Sequence, residues 1–133
     1  MRAELQTQIY EKFPKLFRQK DLPMTETCMC WGIECGDGWY WLIYNLADAI
    51  QRYIDANKKE QIEVVQVKEK YGGLRFYVGS ADDVVLGMID FAEHLSYRIC
   101  ESCGSMEEVE QSEGWIRTLC RKCLENLEKE TLK

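Results

Sequence analysis

Four cysteines constrain this chain more than any other feature. Cys100 and Cys103, then Cys120 and Cys123, form two Cys-x-x-Cys pairs separated by sixteen residues. This spacing is that of a four-thiolate metal site. A Cys-x-x-Cys turn aims two sulfurs inward about 3.5–4 Å apart, the edge of a tetrahedron with zinc–sulfur bonds of about 2.3 Å. Two such knuckles facing each other complete the shell. Gly104 follows the first pair, where a tight knuckle needs the positive φ that glycine takes without strain. The expectation is one structural zinc ion held by Cys100, Cys103, Cys120 and Cys123, with Met106–Glu110 and Trp115–Leu119 forming a short hairpin between the knuckles. A closed shell has no open position for a substrate, so the expected role is stability. Arg98, Arg121 and Lys122 flank the knuckles and are candidates to offset the site's formal charge of about −2.

Other readings of these thiols fit less well. A thioredoxin-like pair needs one Cys-x-x-Cys ahead of a helix in a βαβ setting, which is not in this pattern. The compact cysteine runs of iron–sulfur proteins are absent. Seven cysteines is an odd number, which argues against a disulfide framework. The first residues turn polar at once and show no apolar run of a secretion signal, and no stretch is apolar enough to span a membrane. A cytoplasmic protein with reduced thiols is expected.

The remaining sequence reads as α+β, with three helices packed on a β-hairpin and the zinc ribbon docked at one end. Residues 1–98 form the helical and hairpin core, and 99–133 the ribbon with a closing helix, in one compact unit. The first helix is expected over 3–20, with Pro14 kinking or splitting it. The second is expected from Trp39 to about Asn57, capped by Asp37. Ser80-Ala81-Asp82-Asp83 reads as a capping box opening the third, which runs to about Arg98. A charged helix over Leu124–Leu132 follows the last knuckle. The predicted core is Phe13, Leu42, Leu46, Val65, Val67, Phe76, Ile89 and Leu95.

A β-branched stretch over 62–69 and a second strand over Leu74–Val78, separated by Gly72-Gly73, predict a hairpin with a Gly-Gly turn. That turn would set Tyr71 opposite Leu74, Lys70 opposite Arg75 and Lys68 opposite Tyr77. Val65, Val67, Tyr71, Leu74, Phe76 and Val78 would then face the core, with Glu69 awkwardly on the same side. Lys68, Lys70, Arg75 and Tyr77 would share the other face. Directly opposed cations destabilise a sheet, so this face is either solvated and neutralised by acids from elsewhere or a site for an anion, nucleotide or nucleic acid. Tyr77 among three bases suits base stacking.

Two further candidates carry charge or thiols. Glu107, Glu108, Glu110 and Glu113 crowd the ribbon loop, and a metal-pinned acidic loop could steer to a basic partner. Cys28, Cys30 and Cys35 stand amid Met29, Trp31, Ile33 and Trp39, and read as packed thiols. The alternative for them is a second metal completed by Asp37 or His94. Glu34, Asp37 and Asp48 are the acids from which a carboxylate-based hydrolase would have to be built.

The order Glu34-Cys35-Gly36-Asp37-Gly38-Trp39, then Lys68-Glu69-Lys70-Tyr71-Gly72-Gly73-Leu74-Arg75-Phe76-Tyr77, then Cys-x2-Cys-Gly and Gly-Trp-x3-Leu-Cys-x2-Cys, spans about residues 28–123. It resembles small uncharacterised proteins of bacteriophages, prophages and bacteria. The resemblance implies a compact zinc-bearing accessory protein, of the kind that inhibits or adapts a host or defence protein.

The functional expectation is therefore a non-enzymatic, zinc-binding interaction protein with a host protein as partner. A nucleic-acid or nucleotide binder using the 68–77 hairpin is the first alternative. It is disfavoured by a net charge of −6, because phosphate backbones call for a positive field. A hydrolase with carboxylates near Glu34 and Asp37 is the second.

Overall fold

The β-branched and aromatic residues between Val64 and Val78 build the sheet that organises the computed structural model, which describes residues 1–131. Strands β2 (Val64–Lys70) and β3 (Gly73–Val78) are antiparallel. A third strand, β1 (Ile33–Glu34), lies parallel to β2 on its other side, with Ile33 beside Val67 and Glu34 beside Lys68. The expected lone hairpin is thus two strands of a three-stranded mixed sheet.

Its turn also differs from expectation. Tyr71 and Gly72, not Gly72 and Gly73, occupy the two-residue loop, with φ of +54° and +82°. A primed turn of this kind matches the twist of the flanking strands and needs positive φ at both positions. Gly73 instead opens β3, where a side chain would not fit: a Cβ there would stand 2.3 Å from the Tyr97 hydroxyl. The register therefore places Lys70 opposite Gly73, Glu69 opposite Leu74, Lys68 opposite Arg75 and Val67 opposite Phe76. Tyr71 leaves the core and is 68% exposed. A register irregularity between Val64 and Gln66 turns Val64 fully inward and leaves Val65 half-buried, the reverse of the predicted assignment.

The described residues form four α-helices, three ahead of the ribbon and one closing it. Helix α1 (Ala3–Lys12) stops where Pro14 pushes Phe13 out of the helical region, so the predicted 3–20 helix ends early. Leu16 and Phe17 still reach the core from the turns that follow. Helix α2 (Tyr40–Asn57) buries Ile43, Leu46, Ala47, Ile50 and Ile54 along one stripe. Helix α3 (Asp83–Ser96) begins two residues later than a Ser80 cap would place it, with the Asp82 carboxylate accepting the Val85 N–H at 3.1 Å. It covers the outer edge of β3, where the Leu74 N–H donates to Ser96 Oγ at 2.9 Å.

The core joins Ile9, Phe13, Leu16, Phe17, Trp39, the α2 stripe, Val64, Val67, Leu74, Phe76 and Val85. Of the predicted core, Phe13, Leu46, Val67 and Phe76 are buried, while Leu42, Val65, Ile89 and Leu95 are half-buried. Beyond α3, strands β4 (Val109–Gln111) and β5 (Thr118–Cys120) pair antiparallel. They are shorter and later than the predicted ribbon strands, because Ser112 and Arg117 close a longer loop between them. Helix α4 (Arg121–Thr131) starts three residues earlier than expected. Leu132, the predicted last helical residue, lies outside the described residues. A small second apolar cluster of Cys100, Leu119 and Cys120 underlies this region. Among the described residues, no helix is long and apolar enough to cross a membrane.

Candidate metal centre

The first knuckle forms as the chain leaves α3. The Gly104 N–H donates to the Cys100 carbonyl at 2.9 Å, closing the turn, and Gly104 takes the expected positive φ of +84°. Cys120 ends β5 and Cys123 sits in the first turn of α4, so strand and helix together present the second pair. The four Sγ atoms lie within 4.8 Å of one another, and those of Cys103 and Cys120 are 3.7 Å apart. These separations fit the edges of a tetrahedral shell of thiolates. Among the described residues, no other group of three or more His, Cys, Asp or Glu comes to metal-binding distance.

The electrostatics favour a cation. Burial opposes ionisation of Cys100, but the N–H groups of Cys120, Cys103 and Ser102 directed at its sulfur bring its thiol down to about 7. Burial and the neighbouring sulfurs push the Cys123 thiol up to about 12. Cys103 is also raised, despite the Ser105 amide, by burial and by Cys100 and Cys120. Burial and the neighbouring sulfurs thus oppose ionisation of Cys103 and Cys123, a cost that a bound cation would offset. Four cysteines placed in this way could hold a metal ion.

The knuckle is locked to the core by the segment Glu34–Trp39. The Gly38 N–H donates to the Glu101 carbonyl at 2.8 Å, and the Gly36 N–H to the Glu101 carboxylate at 2.8 Å. The fully buried Trp39 indole donates to the Ile99 carbonyl at 2.9 Å. Backbone lies directly on backbone here: a Cβ on Gly38 would stand 2.1 Å from the Cys100 carbonyl oxygen, and one on Gly36 2.3 Å from that of Glu101. Glu101 is 6% exposed, and burial pushes its carboxyl up.

A second lock joins the ribbon to the hairpin. Thr118, fully buried in β5, donates from its hydroxyl to the Gly72 carbonyl at 2.5 Å and accepts from Gln111 Nε2 at 3.1 Å. Its carbonyl accepts the Glu101 N–H at 3.0 Å. The three sequence motifs thus meet at one junction. Glu101 and Thr118 were not singled out in the sequence. Their only signal was polarity between metal-spaced cysteines, where a ribbon must dock.

The remaining candidates are dispersed. Asp37 does not cap α2; its carboxylate accepts the Arg2 N–H at 2.8 Å and pairs with the Arg2 guanidinium at 2.8 Å. Asp48 pairs with Arg52 at 2.9 Å, and Glu34 is exposed on β1. These acids do not converge on one site. Cys35 is buried, which pushes its thiol up to about 12. Cys30 is half-buried and donates to the Thr27 carbonyl at 3.4 Å. Cys28 is exposed, contrary to the packed reading, because the short helical turn over Met29–Trp31 directs Met29 inward in its place. His94 is exposed and stacks on Phe91, with ring centroids 6.5 Å apart.

Lys68, Lys70, Arg75 and Tyr77 do share a face, but in a different register. Arg75 opposes Lys68, and its guanidinium donates to Glu93 at 2.5 Å. Glu34 neighbours Lys68 on the other side, so the row Glu34, Lys68, Arg75, Glu93 flanks two cations with two acids. Lys70 stands 5.7 Å from the Tyr71 ring centroid. Glu107, Glu108, Glu110 and Glu113 are all exposed, and Glu108 takes a φ of +50°. Comparison with protein-family models, curated proteins and solved structures found no match to this chain.

Proposed function

We propose that this chain is a small, non-enzymatic interaction protein whose recognition surface is held in shape by one structural zinc ion. Four thiolates at tetrahedral spacing with no other ligand type favour zinc, and a closed shell leaves it a structural role. A zinc ion would also offset the burial and the neighbouring sulfurs that hold the Cys103 and Cys123 thiols up. The setting proposed is the cytoplasm, where thiols stay reduced.

The observation that carries the reading is where the exposed aromatic surface stands. Trp115 is 84% exposed and Tyr71 68%, and the two line one groove with Ile116, Glu69 and Lys70. Trp115 comes from the ribbon loop and Tyr71 from the hairpin turn, and the Thr118–Gly72 hydrogen bond joins their supports. Large aromatic side chains are the commonest anchors of protein interfaces, and a pre-organised support lowers the ordering cost of binding. The motif resemblance to phage proteins points the partner toward a host or defence protein, which this chain would inhibit or adapt. The hairpin bases support nucleic-acid binding less well, since Glu93 and Glu34 flank Arg75 and Lys68.

The test is affinity capture from bacterial lysate at two salt concentrations, beside a Tyr71→Ala, Trp115→Ala variant of equal metal content. A partner retained by the wild type and lost by the variant supports the reading. Identical capture by both, or wild-type protein without bound metal, would overturn it.

A further inference from the structure

Trp115 has a second side. Away from Tyr71 it borders a groove of about 530 Å³ between the ribbon loop and α4. Leu124 and Leu127 form the apolar lining from α4, while Glu110, Glu113 and Glu128 supply carboxylates. Among the described residues, Arg117 is the one base lining this groove, and it lies within electrostatic reach of the buried Glu101 carboxylate. The surroundings repeat this sign. Between residues 105 and 130 stand seven carboxylates and four bases, and one of those bases, Arg121, is paired with Glu125 at 3.4 Å.

A polyanion meets repulsion here, and a purely apolar segment leaves three carboxylates without partners. The chemistry that matches every wall is a cation carried on an apolar backbone. A guanidinium or ammonium group can lie over the indole face within about 6 Å of its centroid and turn its N–H donors to a carboxylate. A neighbouring apolar side chain then covers the leucines.

Resting on the interaction reading above, we infer that the Trp115–α4 groove takes a lysine- or arginine-bearing segment of a protein partner. Trp115 is the anchor, and Glu110, Glu113 and Glu128 select the charge. The acidic ribbon loop is therefore a recognition element as well as a solubilising one.

The probe is a fluorescein-labelled peptide of alternating arginine and leucine, titrated by anisotropy into the zinc-loaded chain at low and at physiological salt. A glutamate–leucine peptide and a single-stranded oligonucleotide serve as comparisons. The arginine–leucine peptide is expected to bind saturably, and more weakly as salt rises. Trp115→Ala and the pair Glu110→Lys, Glu113→Lys should each weaken it at least about tenfold. The charge-reversed pair should also lose most of the salt dependence, while Lys68→Glu on the three-stranded sheet should not weaken binding. All these side chains except Lys68 are exposed, and unchanged melting temperatures and metal content confirm that the variants fold.

Binding weaker than about 1 mM, binding indifferent to both ribbon variants, or an oligonucleotide bound more tightly than the peptide would each overturn the inference. Metal-free wild-type protein would instead count against the zinc-pinned reading beneath it. Metal-bearing protein that ignores the peptide overturns this inference alone.

Discussion

Replacing Gly38 with alanine tests the junction where the metal centre meets the core. The added methyl would stand 2.1 Å from the Cys100 carbonyl oxygen and 2.6 Å from the Glu101 carbonyl group. Both neighbours are backbone, so no side chain can swing away, and the loop must lift off the knuckle. Lifting it stretches the Gly38 to Glu101 hydrogen bond of 2.8 Å and strains the adjacent Gly36 and Trp39 bonds. Overpacking of this kind costs about 1–3 kcal/mol, and one weakened hydrogen bond about 1 kcal/mol more. A total of about 2–4 kcal/mol lowers Tm by roughly 6–15 °C in a domain of this size. Differential scanning calorimetry of the metal-loaded protein reads this directly. Gly87 in α3 is the control, because a Cβ there meets nothing within 4 Å. Gly87→Ala should raise Tm slightly, since alanine is the better helix former by about 1 kcal/mol. A Gly38→Ala protein melting within about 2 °C of wild type would refute the backbone-on-backbone contact.

Three further outcomes follow from the same geometry. Thr118→Val should cost about 1–3 kcal/mol in urea unfolding, because it leaves the Gly72 carbonyl and Gln111 Nε2 without their buried partner; an unchanged midpoint would contradict the second lock. Cys120→Ser should lose the metal and unfold at least the carboxy-terminal third, read as collapsed amide protection in hydrogen exchange from about residue 99 onward; full protection there would contradict a structural site. The Tyr53 hydroxyl, with the Val85 N–H, holds the Asp82 carboxyl below its ordinary 3.8. Its folded value is depressed, so its contribution is complete above the ordinary value and is lost as pH falls below it. Asp82→Asn should flatten that acid limb in a pH series of unfolding midpoints, and an identical limb would contradict the assignment.

The four-cysteine cluster was legible because four-thiolate geometry demands a spacing that little else explains. The α2 stripe and the Val67, Leu74 and Phe76 face were legible because burial follows helical and strand periods. Other features depended on contacts between distant segments. The hairpin turn falls one residue earlier than the glycine pair suggests, and Gly73 lies in β3 where Tyr97, far along the chain, leaves no room for a side chain. Strand β1 is two residues long, too short for a period to show, yet it places Glu34 beside Lys68. Asp37 read as a cap from its local setting, but Arg2 claims it. Gly36 and Gly38 carry no local signal of their role, since it is their lack of a side chain that lets the core lie on the knuckle.

Native mass spectrometry of protein purified under reducing conditions without chelator tests directly whether one zinc ion per molecule closes the four-thiolate shell, as proposed. The mass should exceed that of the bare chain by a single zinc ion less the protons it displaces, and should revert to the bare chain in Cys120→Ser. A wild-type spectrum showing no metal, or two ions per chain, would contradict the account.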